Sequence, residues 1–160
     1  MGSYVIPTTI VSCFKCVGKT TQSKINPMLF RDLAAEDFKY LPGTKEINPQ
    51  WPGNYIEQIK ALEHAGMYRA VFVSDDKEAR DAMKVAKIKY TNLYPRDSSD
   101  MYSIIIDRMK LKGYSEEEIN DMVENWKVYV YEMSTDDGSV TNIELDPHTI
   151  KTWPSWAMMG

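Results

Sequence analysis

The sequence predicts an α/β fold, with a mainly parallel five-stranded sheet and helices on both faces. Three observations carry the prediction. Short β-rich runs alternate with helical segments of ten or more residues along the chain, without internal repeats or low-complexity tracts. Residues 69–74 (RAVFVS) form a near-continuous apolar run, the mark of a strand covered on both faces. The helical segments are long enough to be crossovers between parallel strands, which a tight hairpin cannot supply.

The elements follow in order. Residues 8–12 (TTIVS) read as the first strand, and a loop then leads into Gly18-Lys19-Thr20-Thr21. Met28-Leu29-Phe30, after a turn at Asn26-Pro27, reads as the second strand. Residues 32–52 are irregular, punctuated by Pro42-Gly43 and two further prolines. A helix is expected over 54–65, with Asn54 as N-cap, Glu57 as its capping-box partner, Ile56, Ile59 and Leu62 inward, and Gly66 as the stop. The third strand is 69–74, and a helix over 75–86 places Ala79, Ala82, Met83 and Ala86 on one face.

Residues 90–94 form the fourth strand, closed by Pro95. A helix over 99–112 turns Tyr102, Ile105, Ile106 and Met109 inward and ends at Gly113. Ser115 and Glu118 form a capping box for a helix whose stripe of Ile119, Met122, Val123 and Trp126 runs on to about Met133. Residues 128–131 fit a strand by composition, but Trp126, Tyr129, Val130 and Met133 continue the helical face. Asp137-Gly138 is a turn, and 140–145 is the last strand.

The chain has 160 residues, 43% hydrophobic and 26% charged, with a formal net charge of −4. That describes one globular domain, and it argues against two full domains, a disordered tail protein and a basic nucleic-acid coat. No apolar run is long enough to span a membrane, and residues 1–9 lack the basic start and long apolar stretch of a secretory signal, so a cytoplasmic location is expected. Two cysteines, Cys13 and Cys16, do not make a disulfide scaffold, and His64 and His148 stand too far apart in sequence to suggest zinc.

In an open parallel sheet, ligands bind at the carboxyl ends of the strands near a topological switch point, so chemistry is expected in the first strand-to-helix loop. There, Cys13-Phe14-Lys15-Cys16-Val17-Gly18-Lys19-Thr20 aligns with the phosphate-binding pattern G-x-x-x-x-G-K-[ST], with Cys13 in place of the opening glycine. In that pattern backbone N–H groups cradle phosphate oxygens, the lysine reaches the terminal phosphates and the hydroxyl holds Mg²⁺. Lys19 and Thr20 supply those two side chains. The plain alternative is a loop with a solvated lysine. A thiol near Lys19 and a helix start is also expected to ionise more readily than a free one, which leaves a redox role for Cys13-x-x-Cys16 open beside that of two small loop residues.

These features resemble a known group. The resemblance rests on the loop region 14–21, on Asp32-Leu33, and most distinctively on Asn48-Pro49-Gln50-Trp51-Pro52-Gly53-Asn54-Tyr55-Ile56-Glu57-Gln58-Ile59-Lys60. It continues through 73–83 (VSDDKEARDAM), Leu93-Tyr94-Pro95 and Asn125-Trp126. On these residues the chain resembles the small P-loop nucleotide-kinase-like ATP-binding proteins of phages and bacteria, which are distantly similar to adenylate kinase. The resemblance implies a three-layer P-loop NTPase-type fold over 1–146, a lid at about 96–114 and a tail over 147–160. It departs at Cys13 and Cys16, where the group shows glycine, at Lys15, where it shows proline, at Ala34 and Ala35, where it tends to serine, and at Asp76, often histidine.

The resemblance implies ATP and Mg²⁺ as cofactors. Cys13, Phe14, Lys15, Cys16, Val17, Gly18, Lys19, Thr20 and Thr21 would form the nucleotide site with Arg80 and Arg96, and Thr20 and Asp75 would hold the metal. Lys19, Asp32 and Arg108 are the candidate catalytic residues, Asp32 as the group that orients or deprotonates an acceptor hydroxyl. Asp75 is equally an N-cap by its position, and Asp32 equally a surface-turn aspartate. Lys110 and Lys112 join the arginines as candidate phosphate contacts. The expected activity is phosphoryl transfer to a nucleoside, nucleotide or nucleic-acid acceptor in the cytoplasm, a host's cytoplasm if the chain is phage-encoded. The alternatives are a nucleotide sensor or sequestering protein without catalysis, and an interaction module that has lost the ligand. Trp153, Trp156, Met158 and Met159 are expected to pack back on the domain or to form a dimer contact.

Overall fold

The computed structural model describes residues 7–152. Five strands, β1 (Thr9–Cys13), β2 (Phe30–Asp32), β3 (Ala70–Ser74), β4 (Tyr90–Pro95) and β5 (Thr141–Leu145), form one sheet in the order β2-β3-β1-β4-β5, and every pairing is parallel. The α/β fold with helices on both faces is therefore present. The connections are α1 (Lys19–Ile25), α2 (Glu36–Lys39), α3 (Gly53–Ala65), α4 (Lys77–Val85), α5 (Ser99–Leu111) and α6 (Glu116–Ser134), followed by a 3₁₀ turn (Thr149–Lys151). Among the described residues no helix is long and apolar enough to cross a membrane.

Strand alternation sorts the core into two clusters. Val11, Cys13, Phe72 and Leu93 pack with Met101, Ile105 and Met109 of α5. Their sequence neighbours Ile10, Val71, Val73 and Tyr90 pack with Tyr55 and Ile59 of α3 and with Ala79 and Met83 of α4. The central strands are buried on both sides, which explains why 69–74 reads as continuously apolar. The buried stripe of α6 (Met122, Trp126, Val130, Met133) settles the ambiguity at 128–131 in favour of helix, and its capping box at Ser115 and Glu118 is formed.

Several boundaries differ from expectation. The second strand starts at Phe30, two residues late: Met28 and Leu29 are exposed, and the ladder pairs Phe30 with Ala70 and Asp32 with Phe72. Helix α3 starts before Asn54, because the Asn54 N–H already donates to the Gln50 carbonyl. The Asn54 amide N–H instead donates to the Phe38 carbonyl at 2.8 Å and ties α3 to α2, while its Oδ1 accepts from the Tyr55 N–H at 2.8 Å inside the first turn and not from the N-cap position. At α4 the cap is Asp76, whose carboxylate accepts from the Glu78 N–H at 2.8 Å, and Glu78 turns to the Trp51 indole N–H. Asp75 is thereby released from the capping role. Within the segment expected as a lid, Ser99–Leu111 form α5, docked on the sheet through Met101, Ile105 and Met109. Trp153, Trp156, Met158 and Met159 lie outside the described residues.

The topology locates the site. From β1 the chain moves to β2 on one side, and from β3 it moves to β4 on the other, so the adjacent carboxyl ends of β1 and β3 form the switch point. Cys13 and Ser74 are register partners there. The Tyr55 hydroxyl donates to the Leu33 carbonyl at 2.6 Å and accepts from the Ser74 N–H at 3.1 Å, clamping the ends of β2 and β3 together.

Candidate phosphate cleft

The loop after β1 begins as an extension of the sheet. The Phe14 N–H donates to the Leu93 carbonyl at 2.9 Å, and the fully buried Phe14 ring meets Trp126 edge-on at 5.6 Å. The chain then turns through two left-handed residues, Cys16 at φ 62° and Gly18 at φ 111°. Cys16 therefore holds a backbone conformation suited to glycine, at a cost of about 1–2 kcal/mol for a residue with a Cβ. Cys13 sits in ordinary strand geometry with its side chain in the core, so no glycine is required there. The Arg108 guanidinium donates to the Cys16 carbonyl at 3.0 Å and fixes α5 to the loop.

A cleft of about 250 Å³ opens where β1, β2 and β3 end. Lys15, Lys19 and Lys112 line it together with Thr20, Asp32 and Asp75. The Thr20 hydroxyl donates to Asp32 Oδ2 at 3.0 Å, while Asp32 Oδ1 is buried without a hydrogen-bond partner. Burial pushes the Asp75 carboxyl above the usual carboxylate range, against the pull of Lys19, Lys15 and Arg80. The two carboxylates, one of them with an unpartnered buried oxygen, and the Thr20 hydroxyl are hard oxygen donors of the kind that Mg²⁺ takes, usually with phosphate and water completing its shell. The residues present fit that ion. Glu36, Tyr114 and Glu118 also line the cleft, and sequence reasoning missed all three. Only the Gly113 helix stop before Tyr114 hinted that the chain turns back there.

The other candidates are distributed around this cleft. Val17, Thr21 and Arg108 border a neighbouring cavity of about 470 Å³ that shares Cys16, Gly18 and Lys112 with the cleft and ends on Ile150 and Lys151. Arg80 lies on the opposite side, in a cavity of about 340 Å³, where its guanidinium is buried against Asp136 at 3.0 Å and its Nε donates to the Asp75 carbonyl. Arg96 is paired with Asp100 at 3.4 Å and lines none of these three cavities; Lys110 faces a separate surface groove. No protein-family model matches the chain, and no curated protein matches it in sequence.

The thiols correct one expectation. Proximity to Lys19 lowers the Cys13 pKa, but complete burial outweighs it and pushes the thiol up to about 12. Burial also raises Cys16, against Lys112, the Tyr114 hydrogen bond, Arg108 and Lys15. Both thiols are therefore poor nucleophiles in the folded protein. An aromatic disulfide reagent at pH 8 is expected to label the native chain at under about 1% of the rate seen in denaturant. Comparable rates in the two conditions would show that the loop opens or that the thiols are ionised.

Proposed function

We propose that this chain is a P-loop phosphotransferase of the nucleotide-kinase type, which binds ATP with Mg²⁺ at the 13–20 loop. One observation carries the reading: a single cleft at the switch point is lined by Lys19, Thr20, Asp32 and Asp75, and one oxygen of the Asp32 carboxylate is buried there without a partner. The ammonium groups of Lys15, Lys19 and Lys112 offset the phosphate charge, Lys19 being the one at the motif position. The Thr20 hydroxyl and the Asp75 carboxylate would hold the metal. When bound there, Mg²⁺ would supply positive charge against that of the phosphoryl group being transferred. Asp32, fixed by Thr20, orients the acceptor hydroxyl and takes its proton. The adjoining 470 Å³ cavity, with Val17, Leu111 and Ile150 as apolar walls, suits the nucleoside half of ATP.

Calorimetry with ATP tests this. Binding is expected in the presence of Mg²⁺, weakened about 10- to 100-fold in Lys19→Ala, the loss of one charge-assisted hydrogen bond. Equal affinity in the two proteins would remove Lys19 from the site, and no heat in the wild type would remove the nucleotide. One observation favours a second reading, nucleotide binding without turnover. The Cβ of Cys16 stands at a left-handed position where a glycine would let phosphate approach the backbone closely. Binding without phosphate transfer or release would select it.

A further inference from the structure

The 340 Å³ cavity beside the cleft has a charge pattern that bears on the acceptor. The two spaces share Lys15, Glu36, Ser74 and Asp75, so they are lobes of one depression, and a group bound in the second lobe adjoins the phosphates in the first. The second lobe is within the size range of small-molecule sites, about 300–1,000 Å³. Its walls combine the rings of Tyr40 and Tyr129 with Met122 and Met133, a surface that suits a flat heterocycle.

Three of the four cations lining that lobe are in ion pairs. Arg80 is held by Asp136 at 3.0 Å with both side chains almost fully buried, Lys77 by Asp81 at 2.9 Å, and Lys39 by Asp76 at 3.5 Å. Lys15 belongs equally to the phosphate cleft and leans over the Tyr114 ring. The lobe is also lined by the carboxylates of Glu36, Asp75, Asp121 and Glu132, none of them in an ion pair among the described residues, with Asp121 accepting from the Asn125 amide and the Tyr129 hydroxyl. A phosphomonoester placed here would meet the carboxylates of Asp121 and Glu132, which do not line the phosphate cleft, and no free guanidinium fork. Sugar hydroxyls would find acceptors.

We propose, resting on the phosphotransfer reading above, that the acceptor is an uncharged nucleoside-class alcohol bound in this lobe, and not a nucleoside monophosphate or a nucleic-acid end. Its hydroxyl oxygen attacks the γ-phosphorus of ATP and forms the new O–P bond. The bond between that phosphorus and the β,γ-bridging oxygen breaks, ADP leaves with the electron pair, and the hydroxyl proton passes to the Asp32 carboxylate. The products are a nucleoside monophosphate and ADP.

The test is transfer of label from γ-labelled ATP with Mg²⁺ to thymidine, deoxyadenosine, their 5′-monophosphates and a single-stranded oligonucleotide with a free 5′-hydroxyl. A kcat/KM at least about tenfold higher for a nucleoside than for its monophosphate is expected, with the oligonucleotide unlabelled. Glu132→Lys and, separately, Asp121→Lys should each move that ratio about tenfold toward the monophosphate, since each reverses one charge on the lobe wall. Saturation-transfer NMR of thymidine and thymidine 5′-monophosphate without ATP reads the lobe independently of the phosphate cleft. If ATP·Mg²⁺ binds while the monophosphate or the oligonucleotide is the preferred acceptor, the inference falls and the phosphotransfer reading stands. If ATP does not bind, that reading falls and the inference falls with it.

Discussion

Replacing Asp136 with alanine is expected to lower the free energy of unfolding by about 3–5 kcal/mol. Asp136 Oδ2 accepts from Arg80 Nη1 at 3.0 Å, the Tyr90 hydroxyl at 2.8 Å and the Asn92 amide at 2.9 Å, and Oδ1 accepts from the Gly138 N–H at 2.9 Å. The Arg80 and Asp136 side chains are 5% and 9% exposed. Truncating the carboxylate leaves a guanidinium and a hydroxyl desolvated without this acceptor, whereas the Asn92 amide keeps the Met133 carbonyl and Asn142 Oδ1, and the guanidinium dominates the loss. Urea unfolding of the two proteins reads this directly. Arg80→Met in the Asp136→Leu background should recover much of the loss, because it removes the stranded charge. A single-variant loss below about 1 kcal/mol would mean that water reaches the pair.

The same cluster sets an acid limit. Burial raises the Asp136 pKa, but the Asn92 amide, the Gly138 N–H, the Tyr90 hydroxyl and Arg80 outweigh it and hold the carboxyl at about 2, from an ordinary 3.8. The folded state therefore binds this proton less readily than the unfolded chain does. The resulting stability, about 2 kcal/mol, is complete above roughly pH 5 and is lost as the pH falls toward 2. In Asp136→Asn that part of the acid sensitivity should disappear.

Periodicity made the architecture legible, because burial on one face or two leaves a pattern within a few neighbouring residues. Its errors share a physical origin. Met28 and Leu29 have strand composition, yet the ladder begins where β3 offers Ala70, a partner forty residues away. Asn54, like the choice between Asp75 and Asp76, was misread because a cap depends on one residue's backbone angles, which composition does not encode. Lys19, Thr20, Asp32 and Asp75 were visible as a set, since each follows a strand or sits on the loop, and parallel strands bring those ends together. Arg80 was not legible as part of a structural clasp. Its partner is 56 residues away, in a turn whose Asp-Gly pair reads only as a turn.

On the proposed function, Asp75→Asn is expected to reduce phosphoryl transfer about 10²–10⁴-fold while leaving the thermal midpoint unchanged or higher. Asp75 makes no side-chain ion pair among the described residues, caps no helix and lines both lobes of the depression. Because burial raises its pKa, its ionised form is less favourable in the fold than in the unfolded chain, so at neutral pH the charge opposes folding. An isosteric amide removes that penalty and keeps the shape. Asp136 has the opposite sign: its partners lower its pKa, and its charge supports the fold. Two aspartates, both shielded from water, thus separate by the direction of their shift. The proposed function gives this buried carboxylate a use, as a holder of metal beside the phosphates in the cleft. Measuring turnover and thermal midpoint together in Asp75→Asn decides the matter: a lower midpoint with unchanged turnover would make Asp75 a structural residue and take the metal away from this cleft.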